Sequence, residues 1–286
     1  MNPVTELRYM ESGLNALSGI RHTHDESCEI LQVLSGTGSM IIGDRLYPLR
    51  RGALFLIPRM EFHSAVPDSG DYVRNILNLS ERYLDSVVSL SGTGEQLGTL
   101  FGKQCLLPDE KDFRAVSELF QTLSLCLSSE NESSGFRQLS LTAELLYILS
   151  RAGLAPAAEN TDSISRAVRY INDNLSGVLT LDGICASVHL SRYHFCRLFR
   201  KKTGMRPFDY ILECRISAAK KKLADTDLPC SEIAELTGFG SFSSFSGAFR
   251  KKEGMTPSQY RAFSAEARTL RKQNAKIPEK TKPEQS

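Results

Sequence analysis

Between residues 20 and 80 the apolar positions come in short runs. Glu29-Ile30-Leu31-Gln32-Val33-Leu34, Ser39-Met40-Ile41-Ile42 and Leu54-Phe55-Leu56-Ile57 favour strands and are punctuated by glycines. Gly43-Asp44, followed by Arg45-Leu46-Tyr47, predicts a tight hairpin turn. Several short strands at regular spacing predict a small antiparallel barrel or sandwich. From Asp109 the period becomes helical: Phe113, Val116, Phe120 and Leu123, then Leu139, Leu141, Leu145, Leu146 and Leu149. Gly135 and its serine-rich neighbours separate these two predicted helices, which are suited to pack on the barrel or on a second subunit. Residues 152–161 read as a linker. Beyond it everything reads helical, beginning with the stripe Ile164, Val168, Ile171 and Leu175. Residues 265–286, rich in Lys, Glu, Pro and Gln, lack core-forming side chains and are expected to be disordered.

The strongest feature is a repeat. Phe199-Arg200-Lys201-Lys202-Thr203-Gly204-Met205-Arg206-Pro207 returns fifty positions later as Phe249-Arg250-Lys251-Lys252-Glu253-Gly254-Met255-Thr256-Pro257. Ser191 pairs with Ser241, Phe195 with Phe245 and Tyr210 with Tyr260, and upstream Ile184-Cys185 matches Ile233-Ala234 with one extra residue in the second turn. Such a period marks a duplicated supersecondary unit. Each copy predicts a short helix (181–188; 229–237), a tight turn, a serine that caps the next helix, and a second helix. The second helix keeps Phe195, Leu198 and Phe199, or Phe245, Ala248 and Phe249, inward. It closes on a basic triplet and a glycine suited to the left-handed position. This is helix-turn-helix logic: the first helix braces and the second faces the major groove. Between the copies Phe208, Leu212, Ile216, Ala219 and Leu223 predict one long helix, a stiff spacer for two recognition helices.

Charge agrees with that division. Residues 1–160 carry a net −7, residues 161–261 a net +6 and residues 262–286 a net +3, so only the second half suits a polyanion. The seven cysteines are scattered and form no Cys-x-x-Cys, as expected of buried thiols in a reducing compartment. The chain shows no apolar run long enough for a membrane span and no signal peptide at its start, so a cytoplasmic location is expected.

Residues 162–261 closely resemble the AraC/XylS-type DNA-binding domain. The stretch that carries this runs from Glu232-Ile233-Ala234-Glu235-Leu236-Thr237-Gly238-Phe239 through Ser241, Phe245, Phe249-Arg250-Lys251-Lys252, Gly254-Met255-Thr256-Pro257 and Tyr260-Arg261. The resemblance implies seven helices and a regulator of transcription, an activator controlled by a small molecule, working with RNA polymerase on double-stranded promoter DNA. It implies that the first recognition helix offers Arg192, Tyr193, His194, Cys196 and Arg197. Arg197 suits a bidentate contact to guanine, the alternative being backbone positioning alone, and Tyr193 suits a thymine methyl or a phosphate. The second copy has Gly247 where a long polar side chain is usual, beside Phe242, Ser243 and Ser246. Base discrimination is therefore expected mainly from the first unit. Lys201, Lys202, Lys251 and Lys252 are expected on phosphates, with Phe242 a candidate for apolar base contact.

His22-Thr23-His24, then Glu29 and Gly36, and later Gly52, Pro58 and His63, resemble the two motifs of the cupin barrel. They depart from it at Met60, where glycine is usual, and at Pro67, where asparagine is common. His22, His24, Glu29 and His63 are the expected effector-binding residues. Three imidazoles and a carboxylate also suit a divalent metal, and the two readings stay open. The same polar groups could instead be strand-edge residues with no ligand role.

The expected fold is an N-terminal all-β cupin-like barrel with a helical extension, joined to a C-terminal all-α double helix-turn-helix. The expected divisions are a sensing barrel over 1–108, a helical dimerisation or packing segment over 109–151, the linker 152–161, the DNA-binding domain 162–264 and the tail 265–286. The expected function is transcription regulation by a homodimer responding to a small polar effector, with a sugar as one candidate, and not catalysis. The alternatives are a metal-dependent cupin enzyme or metal sensor fused to a DNA reader, and an architectural DNA-bending protein.

Overall fold

The computed structural model describes residues 7–10, 27–68, 70–91, 94–127, 134–154 and 162–275. Its strands are β1 (Leu7–Met10), β2 (Ser27–Ser35), β3 (Thr37–Ile42), β4 (Arg45–Arg50), β5 (Leu54–Ile57), β6 (His63–Pro67), β7 (Val73–Ser80), β8 (Cys105–Leu107) and β9 (Gly153–Leu154). They form a six-stranded sheet, ordered β1-β7-β2-β5-β8-β9, and a three-stranded sheet, β4-β3-β6. The expected barrel is thus two sheets of hydrogen-bonded strands rather than one closed cylinder. The predicted turn at Gly43-Asp44 joins β3 to β4.

The large sheet is buried on both faces, which explains why β2 carries apolar residues on both, with Gln32 alone polar between Ile30 and Leu34. One face carries Ile30, Leu54, Leu56, Leu77 and Leu79. It packs against α1 (Glu81–Ser91), α2 (Gly94–Gly102), α3 (Glu110–Leu127) and α4 (Ser134–Arg151) through Tyr83, Phe101, Phe120 and Leu145. Gln32 points the same way and is buried without penalty, because its amide donates to the Phe113 carbonyl (3.1 Å) and Ser117 Oγ (2.8 Å) and accepts from Asn75 (2.9 Å). The other face, with Leu31, Val33, Phe55 and Ile57, meets Met40, Ile42, Tyr47 and Leu49 of the small sheet.

The outer face of the small sheet is covered as well. Ile41, Leu46 and Phe62 share a core with Ile164, Val168, Phe195, Phe199 and Tyr210. Those residues belong to α5 (Ser163–Asp173), α7 (Arg192–Thr203) and α8 (Pro207–Asp225). The Tyr210 hydroxyl donates to the Gly43 carbonyl (3.1 Å) and accepts from Asn172 Nδ2 (2.8 Å), while Ser217 Oγ donates to the Met60 carbonyl (2.7 Å). Strands and first helix-turn-helix therefore belong to one compact unit, Met1–Ser217, with Ala218–Ser286 as the second. The division falls inside α8.

Three expectations are corrected. Gly153 and Leu154, expected in a linker, pair with β8 as β9, while 155–161 lie outside the described residues. Gly135 lies in the first turn of α4 rather than between the helices. The last helix, α11 (Pro257–Ala275), runs through 265–275, where disorder was expected. Ala265, Glu266, Ala267 and Arg268 have high helix propensity and extend a helix already begun. Residues 276–286 lie outside the described residues.

Candidate nucleic-acid interface and effector site

The first helix-turn-helix unit is α6 (Leu181–Val188) and α7. Thr180 caps α6 by accepting from Gly183 N, and Ser191 caps α7 by accepting from His194 N. His189 makes the turn at φ 57°, left-handed, as Gly238 does in the second copy at φ 83°. The second unit is α9 (Cys230–Leu236) and α10 (Phe242–Glu253), with Ser241 accepting from Ser244 N. Gly204 and Gly254 end α7 and α10 at φ 69° and 75°, a conformation costly for any residue with a Cβ. Phe195 and Phe199 stack at 5.3 Å, and Phe199 meets Tyr210 at 5.5 Å; Phe245, Phe249 and Tyr260 repeat the arrangement at 5.6 and 5.4 Å. Burial along 191–200 and 241–250 follows one identical pattern. The duplication is therefore structural as well as sequential.

On α7, Arg192, Tyr193, His194, Arg197 and Lys201 are exposed, while Cys196 and Lys202 are half-buried. Tyr193 is 81% exposed, unusual for an aromatic ring without a partner. Tyr193, Cys196, Leu181 and Phe208 form the apolar wall of an open concavity of about 750 Å³ rimmed by Arg197 and Arg200. Phe208, predicted inward, is 54% exposed there, because Tyr210, Ile211 and Cys214 take the buried side of α8. Arg192 is held by a bidentate ion pair with Asp182, which keeps that carboxyl below its ordinary value. The pair is exposed, so phosphate can displace the carboxylate at little cost. On α10, Phe242, Ser243, Lys251 and Lys252 are exposed, Ser246 is half-buried, and a Cβ on Gly247 would meet nothing within 4 Å.

The other polar cluster lies between the sheets. Glu29 pairs in register with Asn78 and Ile57, and His63 with Ile42, so these side chains share the inner face. Glu29 and His63 are 3% and 4% exposed, with Oε2 and Nε2 3.8 Å apart. His63 Nδ1 lies 3.0 Å from the Glu61 carbonyl, which only accepts, so Nδ1 carries a proton and Nε2 faces the carboxylate. His22 and His24 lie outside the described residues. Among the described residues no three His, Cys, Asp or Glu converge as metal ligands, so Glu29 and His63 would need a third donor to hold a cation.

Three residues of this face escaped the sequence reading: Tyr72, Arg74 and Asn78. Each is more than nine-tenths buried, and among the described residues Arg74 Nε and Asn78 Oδ1 have no hydrogen-bond partner, while Arg74 acts on the Tyr72 hydroxyl. The Arg74 guanidinium sits 5.6 Å from the Tyr72 ring centroid. Burial pushes the Tyr72 hydroxyl up, against the pull of Arg74. The available signal was Tyr72, Arg74, Ile76 and Asn78 alternating onto one side.

All seven cysteines are free thiols. Burial pushes Cys28 up to about 11 and Cys105 and Cys214 up to about 12, so these three are inert at neutral pH.

Two serine-capped, glycine-closed helix-turn-helix units with basic ends define a regulator of the double helix-turn-helix class. Residues 184–262 match the helix-turn-helix domain family, and residues 7–149 match the AraC-like ligand binding domain family. The chain belongs to the AraC family of DNA-binding transcription regulators, with a ligand-binding N-terminal domain. Its relatives include the HTH-type transcriptional activator RhaR of Escherichia coli K12, 26% identical over 252 residues, covering 86% of this chain and 88% of that one. RhaR of Enterobacter sp. strain 638 is 27% identical over 253 residues with the same coverage. Similar solved structures include the DNA-binding domain of AdpA in complex with a target DNA (28% identity, TM-score 0.37, 38% of this chain and 98% of that one). Another is ToxT from Vibrio cholerae (16% identity, TM-score 0.37, 85% and 92%). Among the described residues no helix is long and apolar enough to cross a membrane.

Proposed function

We propose that this chain is a transcriptional activator switched by a small polar effector, a sugar or sugar derivative, bound between its two sheets. It works in the cytoplasm as a homodimer on promoter DNA with RNA polymerase, and it carries no catalytic activity of its own. The observation that carries the reading is the repeated recognition unit, down to the same burial pattern, in a chain whose relatives are named as activators.

The domain plan follows: residues 1–108 sense, 109–151 dimerise, 155–161 connect and 162–264 bind DNA. Dimerisation through α3 and α4 is supported by their exposed apolar side chains, Leu125 (73%), Phe136 (81%) and Tyr147 (60%). Coupling runs through the core shared by Ile41, Leu46 and Phe62 with α5, α7 and α8. A ligand that binds one arrangement of the sheets more tightly biases the presentation of α7.

Arg197 reads a base and the lysine pairs hold phosphates, while Gly247, in the position equivalent to Arg197, reaches nothing. Arg197→Ala should lower discrimination between operator and a single-base variant by about 1–3 kcal/mol. Ser243→Ala should leave that discrimination nearly unchanged. Competition binding with the two duplexes tests this, and the reverse ranking would move base reading to the second unit.

A further inference from the structure

The inner face of the sensor sheets carries a positive charge that no described residue neutralises. Arg74 on β7 is 7% exposed, and its register partner is Val33, so it shares a face with Leu31, Val33 and Phe55. Among the described residues no carboxylate lies in ion-pair range of its guanidinium. A buried charge without a counter-ion is strongly unfavourable. Stacking on Tyr72, and the nearness of its hydroxyl to the guanidinium, offsets part of that cost but leaves Arg74 Nε without a hydrogen-bond partner among the described residues.

Four residues along the strands the same face changes character, although its Glu29 carboxylate is still near enough to act on the Tyr72 hydroxyl. Asn78 and Glu29 stand opposite each other, with His63 against Glu29. That end offers acceptors and an amide, suited to hydroxyl groups. One end of the face thus lacks an anion, and the other suits a polyol. A phosphate, with three oxygens and up to two charges, would find a single guanidinium on a face that also bears the Glu29 carboxylate. A carboxylate matches the planar fork of one arginine.

We infer that the effector is a hydroxylated carboxylate of the sugar-acid type, its carboxylate held by Arg74 and Tyr72 and its hydroxyls by Asn78, Glu29 and His63. This rests on the reading of the inter-sheet face as the effector site.

The test is thermal unfolding of the full-length protein and of Arg74→Met. The probes are D-galacturonate and D-gluconate, each at equal concentration beside its neutral counterpart, D-galactose or D-glucose. A probe present at a hundredfold over its Kd should raise Tm by about 5–10 °C. The acids should shift the wild-type protein and lose that shift in Arg74→Met, while the neutral sugars shift neither. Without probe, Arg74→Met should match or exceed the wild-type Tm, because methionine removes an uncompensated charge and keeps the volume. A fall of several degrees without probe overturns the inference by making Arg74 a structural group. An equal shift of both proteins by the neutral sugars overturns it while leaving the sensing reading in place. No shift with any probe overturns the inference and counts against the effector site as well.

Discussion

Arg197 and Gly247 occupy the same place in the two copies, and between them lies the difference in what each recognition helix can touch. Gly247 is exposed and has open space around it, so its only physical consequence within the fold is the backbone freedom it adds to α10. Gly247→Ala should therefore stabilise the chain by about 1 kcal/mol in urea unfolding without weakening DNA binding. A loss of affinity instead would mean that DNA approaches this backbone too closely for a methyl group. Met60 shows the opposite situation. It stands where glycine is usual in the motif it resembles, and it adopts φ 56° while its side chain is 3% exposed. Burial of the methionine opposes the cost of the left-handed backbone, and its carbonyl accepts from Ser217. That departure in the sequence marked a point of strain beside the first helix-turn-helix unit. The inner-face arginine was harder to see, because one charged residue in an apolar strand carries no local sign of which face it takes.

At the scale of elements, the most legible parts were those whose ends are fixed by local chemistry. The serine caps, left-handed glycines and aromatic pairs of α7 and α10 all stand where short-range rules put them. β5 was visible as a continuous apolar run, and β2 as one broken by Gln32 alone. α1 and α2 were not read, although Tyr83, Leu84 and Val87 of α1 and Leu100 and Phe101 of α2 join the core against the large sheet. Burial of β3 and β4 on both faces was written in Met40-Ile41-Ile42 and Leu46-Tyr47, but what covers the outer face depends on residues more than a hundred positions away. The copies also differ in how they end. Thr203 closes α7 by donating to the Phe199 carbonyl (2.7 Å), whereas Glu253 in α10 pairs with Lys220 at 2.8 Å, and Lys220 is only 2% exposed. Glu253→Ala should destabilise the second unit by about 3–5 kcal/mol, because it strips a buried ammonium of its carboxylate. Lys220→Met should cost far less, since Glu253 retains access to water. Chemical denaturation of the two variants checks the asymmetry, and equal losses would contradict it.

At the scale of the whole molecule, the core shared by the sensor strands and the first helix-turn-helix unit is what gives an effector a physical route to DNA. Tyr210 is its polar anchor, fully buried between Gly43 and Asn172. Tyr210→Phe should cost about 1–3 kcal/mol, through unsatisfied groups on both sides, and should reduce the effect of ligand on operator affinity. Unfolding and ligand-dependent DNA binding, measured on the same variant, test both consequences. If stability falls while the ligand response is intact, coupling takes another route. The claim beneath all of this is that the repeated units prefer one DNA sequence over others. Competition binding of the full chain, between a fragment from its own promoter region and random duplex of equal length at physiological salt, tests it most directly. The account predicts a preference of about a thousandfold or more, with affinity falling steeply as salt rises. Equal affinity for the two duplexes would contradict it.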